Sequence, residues 1–235
     1  MMQEMPPRFS DSDALIPAAG QGLRLGLGPK GLLKLKGRPL ALWAAEAVRP
    51  LVQRVIIALP TDAINHPDFQ EYEVIAGGAS RQETVERLVA QSRARYVITH
   101  DAARPFASRA LLTAVLRAAH EDGIAGAGIM PPVPLVRTSE DWVVSVFSRW
   151  DIRLLQSPQA FDRLLLQEML ERARREGRQA QSCLELFDIR KNRIRIVPGE
   201  ETNIKISTPL DWFLARQALS RLFRYPGEGP QRKGI

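Results

Sequence analysis

Short apolar runs recur along the chain at Ala14-Leu15-Ile16, Val55 to Leu59, Val74-Ile75-Ala76, Tyr96 to Thr99 and Ile124 to Met130. They do not alternate with polar residues, and most end near Gly, Pro or Asp, which predicts strands buried on both faces. Between them lie segments with helical spacing: Leu40, Trp43, Ala44 and Val48; then Val85, Leu88 and Val89; then Leu111, Leu112, Val115 and Ala119. Each puts an apolar stripe on one side of a helix. Strand and helix in alternation predict an α/β domain, a Rossmann-like and mostly parallel sheet with helices on both faces.

The second half breaks this rhythm. Trp142 to Phe147 reads as a β-ribbon after Thr138 to Asp141, and Phe161 to Arg175 as a helix. Arg193 to Val197 alternates like a strand with one solvated face. A last helix is expected from the Ser207-Thr208-Pro209 cap, with Leu210, Phe213, Leu214 and Ala218 on one face.

The 235 residues are 45% apolar and 25% charged, which fits one domain, placed at 14–225 with disordered tails at 1–13 and 226–235. Its formal charge of +7 leaves nucleic acid, anionic lipid or a phosphorylated small molecule as partners. No nucleic-acid recognition motif is present, and the basic Arg172 to Arg175 stretch is flanked by Glu171 and Glu176, so nucleic acid is the weaker class. The longest uncharged run, Gly123 to Val136, is too short and too rich in proline to span a bilayer. The opening stretch carries Glu4, Asp11 and Asp13 without an apolar run, so no signal peptide is read there. A single cysteine, Cys183, and three histidines give no disulfide and no zinc spacing. A reduced, cytoplasmic chain without membrane contact is expected.

Ligands of such sheets bind beyond the carboxyl ends of the strands. After the first strand comes Pro17-Ala18-Ala19-Gly20-Gln21-Gly22-Leu23-Arg24, followed by Gly28-Pro29-Lys30. Small residues there expose backbone N–H groups, and Arg24 and Lys30 add positive charge, the chemistry of a triphosphate cradle. The spacing is neither the dinucleotide fingerprint nor a Walker loop. A solvated glycine-rich turn is the competing reading. Asp101 directly follows the fourth strand. A carboxylate there suits Mg²⁺ shared with substrate phosphates, or else a structural pair with Arg104. Arg81 and Thr84 open a helix after Gly77-Gly78, a place suited to base or ribose contacts.

Together these motifs resemble a family. Pro-Ala-Ala-Gly-x-Gly-x-Arg with Pro-Lys, Gly77-Gly78-Ala79-Ser80-Arg81-Gln82-Glu83-Thr84-Val85, His100-Asp101-Ala102-Ala103-Arg104-Pro105, Gln156-Ser157-Pro158-Gln159 and Asn203-Ile204-Lys205 are similar, in order, to the signatures of the 2-C-methyl-D-erythritol 4-phosphate cytidylyltransferases and other polyol-phosphate cytidylyltransferases. The resemblance implies a nucleotide-diphospho-sugar-transferase-like fold with a protruding β-arm near 136–156 that makes a homodimer. It implies transfer of CMP from CTP to 2-C-methyl-D-erythritol 4-phosphate, or in the alternative to another polyol phosphate such as ribitol phosphate, with Mg²⁺ on Asp101. By the same resemblance Arg24, Lys30 and Lys205 are catalytic cations, and Ala18, Ala19, Gly20, Gly78, Arg81 and Thr84 hold the nucleotide. Arg149 and Ser157 would meet the acceptor, and Arg104 either a substrate phosphate or the subunit interface. Two family elements are replaced: Leu135 and Val136 stand where Asp and Thr belong, and Gln181-Ser182-Cys183 where Thr-Asp-Asp or Thr-Asp-Glu belongs.

Overall fold

The computed structural model describes residues 7–22 and 25–221, without the side chains of 218–221. In chain order the strands and helices are β1 (Phe9–Pro17), β2 (Lys34–Leu35), β3 (Arg38–Pro39), α1 (Leu40–Val48), β4 (Val52–Leu59), β5 (Glu73–Ala76), α2 (Arg81–Gln91), β6 (Tyr96–Thr99), α3 (Arg109–Asp122), β7 (Ile124–Ile129), β8 (Leu135–Ser139), β9 (Trp142–Phe147), β10 (Leu154–Asp162), α4 (Arg163–Arg175), β11 (Arg195–Pro198) and α5 (Pro209–Arg221). The central sheet has seven strands in the order β11-β7-β10-β6-β1-β4-β5. It is parallel except for β10, which runs antiparallel to both neighbours.

Uniformly apolar strands are what a sheet covered on both faces requires. Ala14 and Ile16 of β1 pack toward α1 and α3, while Leu15 between them packs toward α2 and α4. The apolar stripes of α1, α2 and α3 bury as their spacing predicts. A third, smaller cluster, containing Leu25, Leu35, Leu40, Trp43, Phe106, Ile206 and Ala215, joins the glycine-rich loop to α5.

Five expectations are corrected. The first strand starts at Phe9, inside the expected tail: Ser12 and Asp13 are buried, with the Asp13 carboxylate 2.9 Å from Arg54 Nη2 and accepting the Ser92 hydroxyl at 2.7 Å. These partners make a polar pair tolerable in a buried strand. Residues 154–156, assigned to the arm, belong instead to β10, where they pair with Ile129, Gly128 and Ala127. Phe161 and Asp162 end that strand, and α4 starts at Arg163 because the Asp162 carboxylate caps the N–H groups of Leu164 and Leu165. The late strand begins at Arg195 rather than Arg193. On α5 the expected apolar face is turned outward, with Leu210, Phe213 and Leu214 exposed, while Ala215 and half-buried Trp212 face the core. The remaining tail residues, 1–6 and 226–235, lie outside the described residues.

Candidate active site

β1 lies between β6 and β4, and the chain leaves it toward β4 and β5 before returning to β6 on the other side. Such a reversal opens a crevice at the carboxyl ends of the strands. A cavity of about 610 Å³ occupies it, lined by Pro17 to Gly22, Lys30, Gly31, Gly78 to Arg81, Thr84, Asp101 to Ala103 and Lys205. Four of the motifs singled out in the sequence therefore meet here: those after β1, β5 and β6, and the loop before α5.

The first wall is the glycine-rich loop. Gly22 has φ +68°, and a Cβ on it would stand 2.2 Å from the Gly28 carbonyl oxygen, so the turn needs glycine. The Gly22 carbonyl accepts from the N–H groups of Leu25 and Gly26, and the loop closes through Lys30 N–H to the Gly20 carbonyl at 3.3 Å. Lys30 Nζ donates to the Ile206 carbonyl at 3.2 Å, joining the cradle to the loop that carries Lys205. Arg24 lies outside the described residues. The second wall is the turn after β5. Gly77 packs so closely on Ala19 that a Cβ there would come 2.1 Å from the Ala19 Cβ. Gly78 donates its N–H to Thr84 Oγ1 at 3.0 Å, and that hydroxyl donates to the Ser80 carbonyl at 2.8 Å.

Asp101 sits between two cations. Its Oδ1 accepts from Arg81 Nη2 at 3.0 Å and its Oδ2 from Lys205 Nζ at 2.8 Å. Burial alone would raise the carboxyl, but the Arg81 guanidinium and then the Lys205 ammonium hold it far below the usual carboxylate range. Burial opposes the charge on Arg81, yet Asp101 keeps that guanidinium more basic than usual. The alternative pairing of Asp101 with Arg104 is not formed. Arg104 N–H closes a turn on the Asp101 carbonyl at 2.9 Å, while the side chain points to the Asn203 carbonyl, with Nη1 to O at 2.5 Å.

Ser157, expected to meet the acceptor, is not among the cavity-lining residues and braces Asp101 from behind. It is buried, and its hydroxyl accepts the Asp101 N–H at 3.0 Å and lies 3.3 Å from His100 Nδ1. Burial pushes His100 down to about 4, so the ring is neutral at pH 7. Its Nε2 is 3.0 Å from the Arg104 carbonyl, which only accepts, so Nε2 carries the proton and Nδ1 receives the Ser157 O–H. A single relay thus runs from Asp101 N–H through Ser157 and His100 to Arg104. Both imidazole nitrogens are engaged. Arg104 and Arg149 are not among the cavity-lining residues either; Arg149 sits between β9 and β10 with its guanidinium 5.5 Å from the Trp150 ring centroid.

Two polar residues named only as parts of motifs turn out to hold the site together. Gln156 Nε2 donates to the Glu200 carbonyl at 2.9 Å, and Asn203 Nδ2 donates to the Ser157 carbonyl at 2.8 Å. This pins the loop bearing Lys205 against the strand bearing Ser157. Their burial was the missing signal, because polar residues in a loop are ordinarily read as solvated.

A family model for 2-C-methyl-D-erythritol 4-phosphate cytidylyltransferase matches residues 13–221. The 2-C-methyl-D-erythritol 4-phosphate cytidylyltransferase of Thermus thermophilus is 40% identical over 209 residues, covering 89% of this chain and 97% of that protein. That of Deinococcus radiodurans is 37% identical over 202 residues, covering 86% and 87%. The crystal structure of the Thermus thermophilus enzyme superposes with a TM-score of 0.78 at 36% identity, covering 88% of this chain and 98% of that one. A 4-diphosphocytidyl-2C-methyl-D-erythritol synthase from Anaerococcus prevotii, at 24% identity and a TM-score of 0.79, shares the fold. With the model match spanning nearly every described residue and the signature loops converging on one crevice, the chain belongs to the 2-C-methyl-D-erythritol 4-phosphate cytidylyltransferase family.

Proposed function

We propose that this protein transfers CMP from CTP to 2-C-methyl-D-erythritol 4-phosphate, releasing pyrophosphate and giving 4-diphosphocytidyl-2-C-methyl-D-erythritol for isoprenoid precursor synthesis. The observation that carries the reading is the convergence of Lys30, Arg81, Asp101 and Lys205 on one cavity whose other walls come from the two glycine turns, Thr84 and Ala102-Ala103. A phosphomonoester has its second pKa near ~6, so the attacking oxygen is already largely ionised at neutral pH. No general base is required, which agrees with a buried, fully engaged His100. The protein's task is to bring two anions together and to screen the charge that builds up as the oxygen attacks the α-phosphorus in line and pyrophosphate departs. Lys30 and Lys205 supply that screening, with Arg24 proposed to join them. Ala18, Ala19, Gly20, Gly78 and Thr84 are proposed to hold the cytosine and ribose.

The donor set suits Mg²⁺. Asp101 is the one carboxylate among the lining residues, it stays ionised, and Mg²⁺ typically takes one or two carboxylates, with phosphate oxygens and water completing its shell. When bound there, Mg²⁺ would neutralise triphosphate charge. We also propose a homodimer through the arm. Its β8–β9 hairpin and following turn expose Val136, Trp142, Val146 and Trp150, at 51%, 77%, 74% and 69%, and grouped exposed apolar side chains of this kind mark interaction surfaces. Arg149 lies in this arm, so its contact with an acceptor phosphate depends on where the arm docks. Among the described residues no helix is long and apolar enough to cross a membrane; a reducing cytoplasm is proposed from the free, buried Cys183.

Leu135 and Val136, in place of Asp and Thr, favour a second reading for the acceptor, another polyol phosphate such as ribitol phosphate. Pyrophosphate release with CTP and a panel of polyol phosphates decides between them. Turnover with methylerythritol phosphate at least tenfold above every other acceptor supports the first. Preference for another acceptor supports the second, and CTP binding without release from any acceptor overturns both.

A further inference from the structure

The turn that forms the second wall of the cavity is held by side chains around the start of α2, two of which, Glu83 and Arg87, are not among the cavity-lining residues. Ser80 and Glu83 have the spacing of a capping box, and Ser80 Oγ accepts the Glu83 N–H at 3.1 Å. In that motif the glutamate ordinarily returns to the N–H of the capping residue itself. Here Glu83 Oε2 takes the N–H of Ala79, one residue earlier, at 2.8 Å. Its Oε1 accepts from Arg87 Nη2 at 2.6 Å, one helical turn on. Arg87 Nη1 then donates to the Gly77 carbonyl at 2.8 Å and lies 3.5 Å from that of Ala76. Thr84 takes the Gly78 N–H between them. The Gly77 carbonyl and the N–H groups of Gly78 and Ala79 are thus all fastened to side chains of α2. Gly78 is in turn packed on Glu83, whose carboxyl carbon would be 2.5 Å from a Cβ at that position.

An exposed Glu-Arg pair four residues apart ordinarily adds little to helix stability. What sets this one apart is where its remaining atoms go. Gly78 and Ala79 line the cavity, whereas Glu83 and Arg87 do not. Without Arg87 the Gly77 carbonyl loses its donor and the Glu83 carboxylate its counter-ion. Without Glu83 the Ala79 N–H is free to turn. In either case the wall loosens while the helix and sheet beneath it remain.

We propose that Glu83 and Arg87 form a clamp that positions the Gly77 to Ala79 wall for the nucleotide, and that they act as positioning residues for CTP rather than for the acceptor. This rests on the reading of the cavity as a CTP site. The test measures pyrophosphate release, CTP binding by calorimetry, melting temperature and amide exchange on the full chain, in Glu83→Ala, Arg87→Ala, the double variant and Glu83→Gln. Each single alanine variant should raise the KM for CTP about tenfold, the effect of one lost hydrogen bond of ordinary strength. The kcat at saturating CTP and the KM for the acceptor should stay within twofold. The double variant should be little worse than either single one, because the two side chains act as a unit. Glu83→Gln, which still accepts the Ala79 N–H, should recover most of the loss. Amide exchange at Gly78 and Ala79 should quicken in the alanine variants with little change in melting temperature. The clamp is overturned by CTP KM values within twofold of the parent, by an equal rise in both KM values, or by Glu83→Gln as impaired as Glu83→Ala. A parent protein that does not bind CTP refutes the nucleotide reading instead, and unchanged exchange at Gly78 and Ala79 then refutes the clamp independently.

Discussion

Lys205 Nζ lies 2.8 Å from Asp101 Oδ2, although 104 residues separate them in the chain. The contact exists because the Asn203 to Ile206 loop is tied to β10 through Gln156 and Ser157, while Ile206 N–H donates to the Ala103 carbonyl at 2.8 Å. Asp101 is the more deeply buried partner, so it decides what happens when the pair is broken.

Asp101→Asn leaves Arg81 and Lys205 without their shared anion. Arg81 and Lys205 keep 32% and 40% of their side chains exposed, so solvent screens the pair and its loss costs less than the ~3 kcal/mol of a fully buried one. The variant should unfold at lower urea concentration and release pyrophosphate at least a hundredfold more slowly, with an unchanged far-ultraviolet spectrum. A variant as stable and as active as the parent would show that the Arg81 and Lys205 contacts carry no energy.

Because Asp101 is held well below its ordinary value, its contribution to stability is fully present above the unfolded carboxyl value of about 4. It is lost as pH falls through the lower folded value. The stability gap between the parent and Asp101→Asn should therefore be constant from pH 5 upward and shrink below pH 4, as read from urea midpoints.

His100 titrates in a higher window. Its folded value of about 4 lies below the ordinary 6.5, so the unfolded chain binds the proton first, and stability falls as pH drops from 6.5 toward 4. The shift corresponds to about 3 kcal/mol. Replacement by Asn, which cannot ionise, should flatten this part of the stability profile; an identical slope in both proteins would place the titration elsewhere.

Ser157→Ala removes the hydroxyl that receives the Asp101 N–H and leaves a buried donor unpaired, at a cost of about 1–3 kcal/mol. Since Ser157 supports Asp101 from outside the cavity, kcat should fall while the acceptor KM stays near that of the parent. A selective rise in the acceptor KM would return Ser157 to the role of substrate contact.

Gly77→Ala would force the turn after β5 away from Ala19, because the added Cβ has only 2.1 Å of room. Overpacking of this kind costs about 1–3 kcal/mol. Widening of the crevice should weaken CTP binding more than tenfold by calorimetry, with acceptor binding less affected.

Trp142→Asp together with Val146→Asp should convert the proposed dimer to a monomer, read as a halved mass in light scattering. The parent chain running as a monomer at the same concentration would remove the basis for the arm contact.

The glycine-rich turn, the Gly77-Gly78 turn and Asp101 were legible in the sequence because each directly follows an apolar run, and an α/β sheet places such positions along one edge. β10 was hidden: Gln156 and Gln159 look solvated, and Pro158 argues against a strand. They are buried because Gln156 reaches Glu200 and Asn203, and Gln159 bonds Ser182 at 2.9 Å. The inward face of α5 was hidden for the opposite reason. Its apolar residues cover more than one side, and only packing on Leu25, Leu40 and Phe106 selects Trp212 and Ala215.

By itself the sequence determined a sheet covered on both faces, the loops at its ligand edge and the residue types those loops present, since burial and turn chemistry are local properties of the chain. Which charges meet was decided only by the tertiary structure. Spacing put Asp101 beside Arg104; the fold gave it Arg81 from α2 and Lys205 from the loop before α5. Coulomb and hydrogen-bond energies depend on approach to about 3 Å and on the water excluded around the pair. Those conditions exist only where separate elements have packed together.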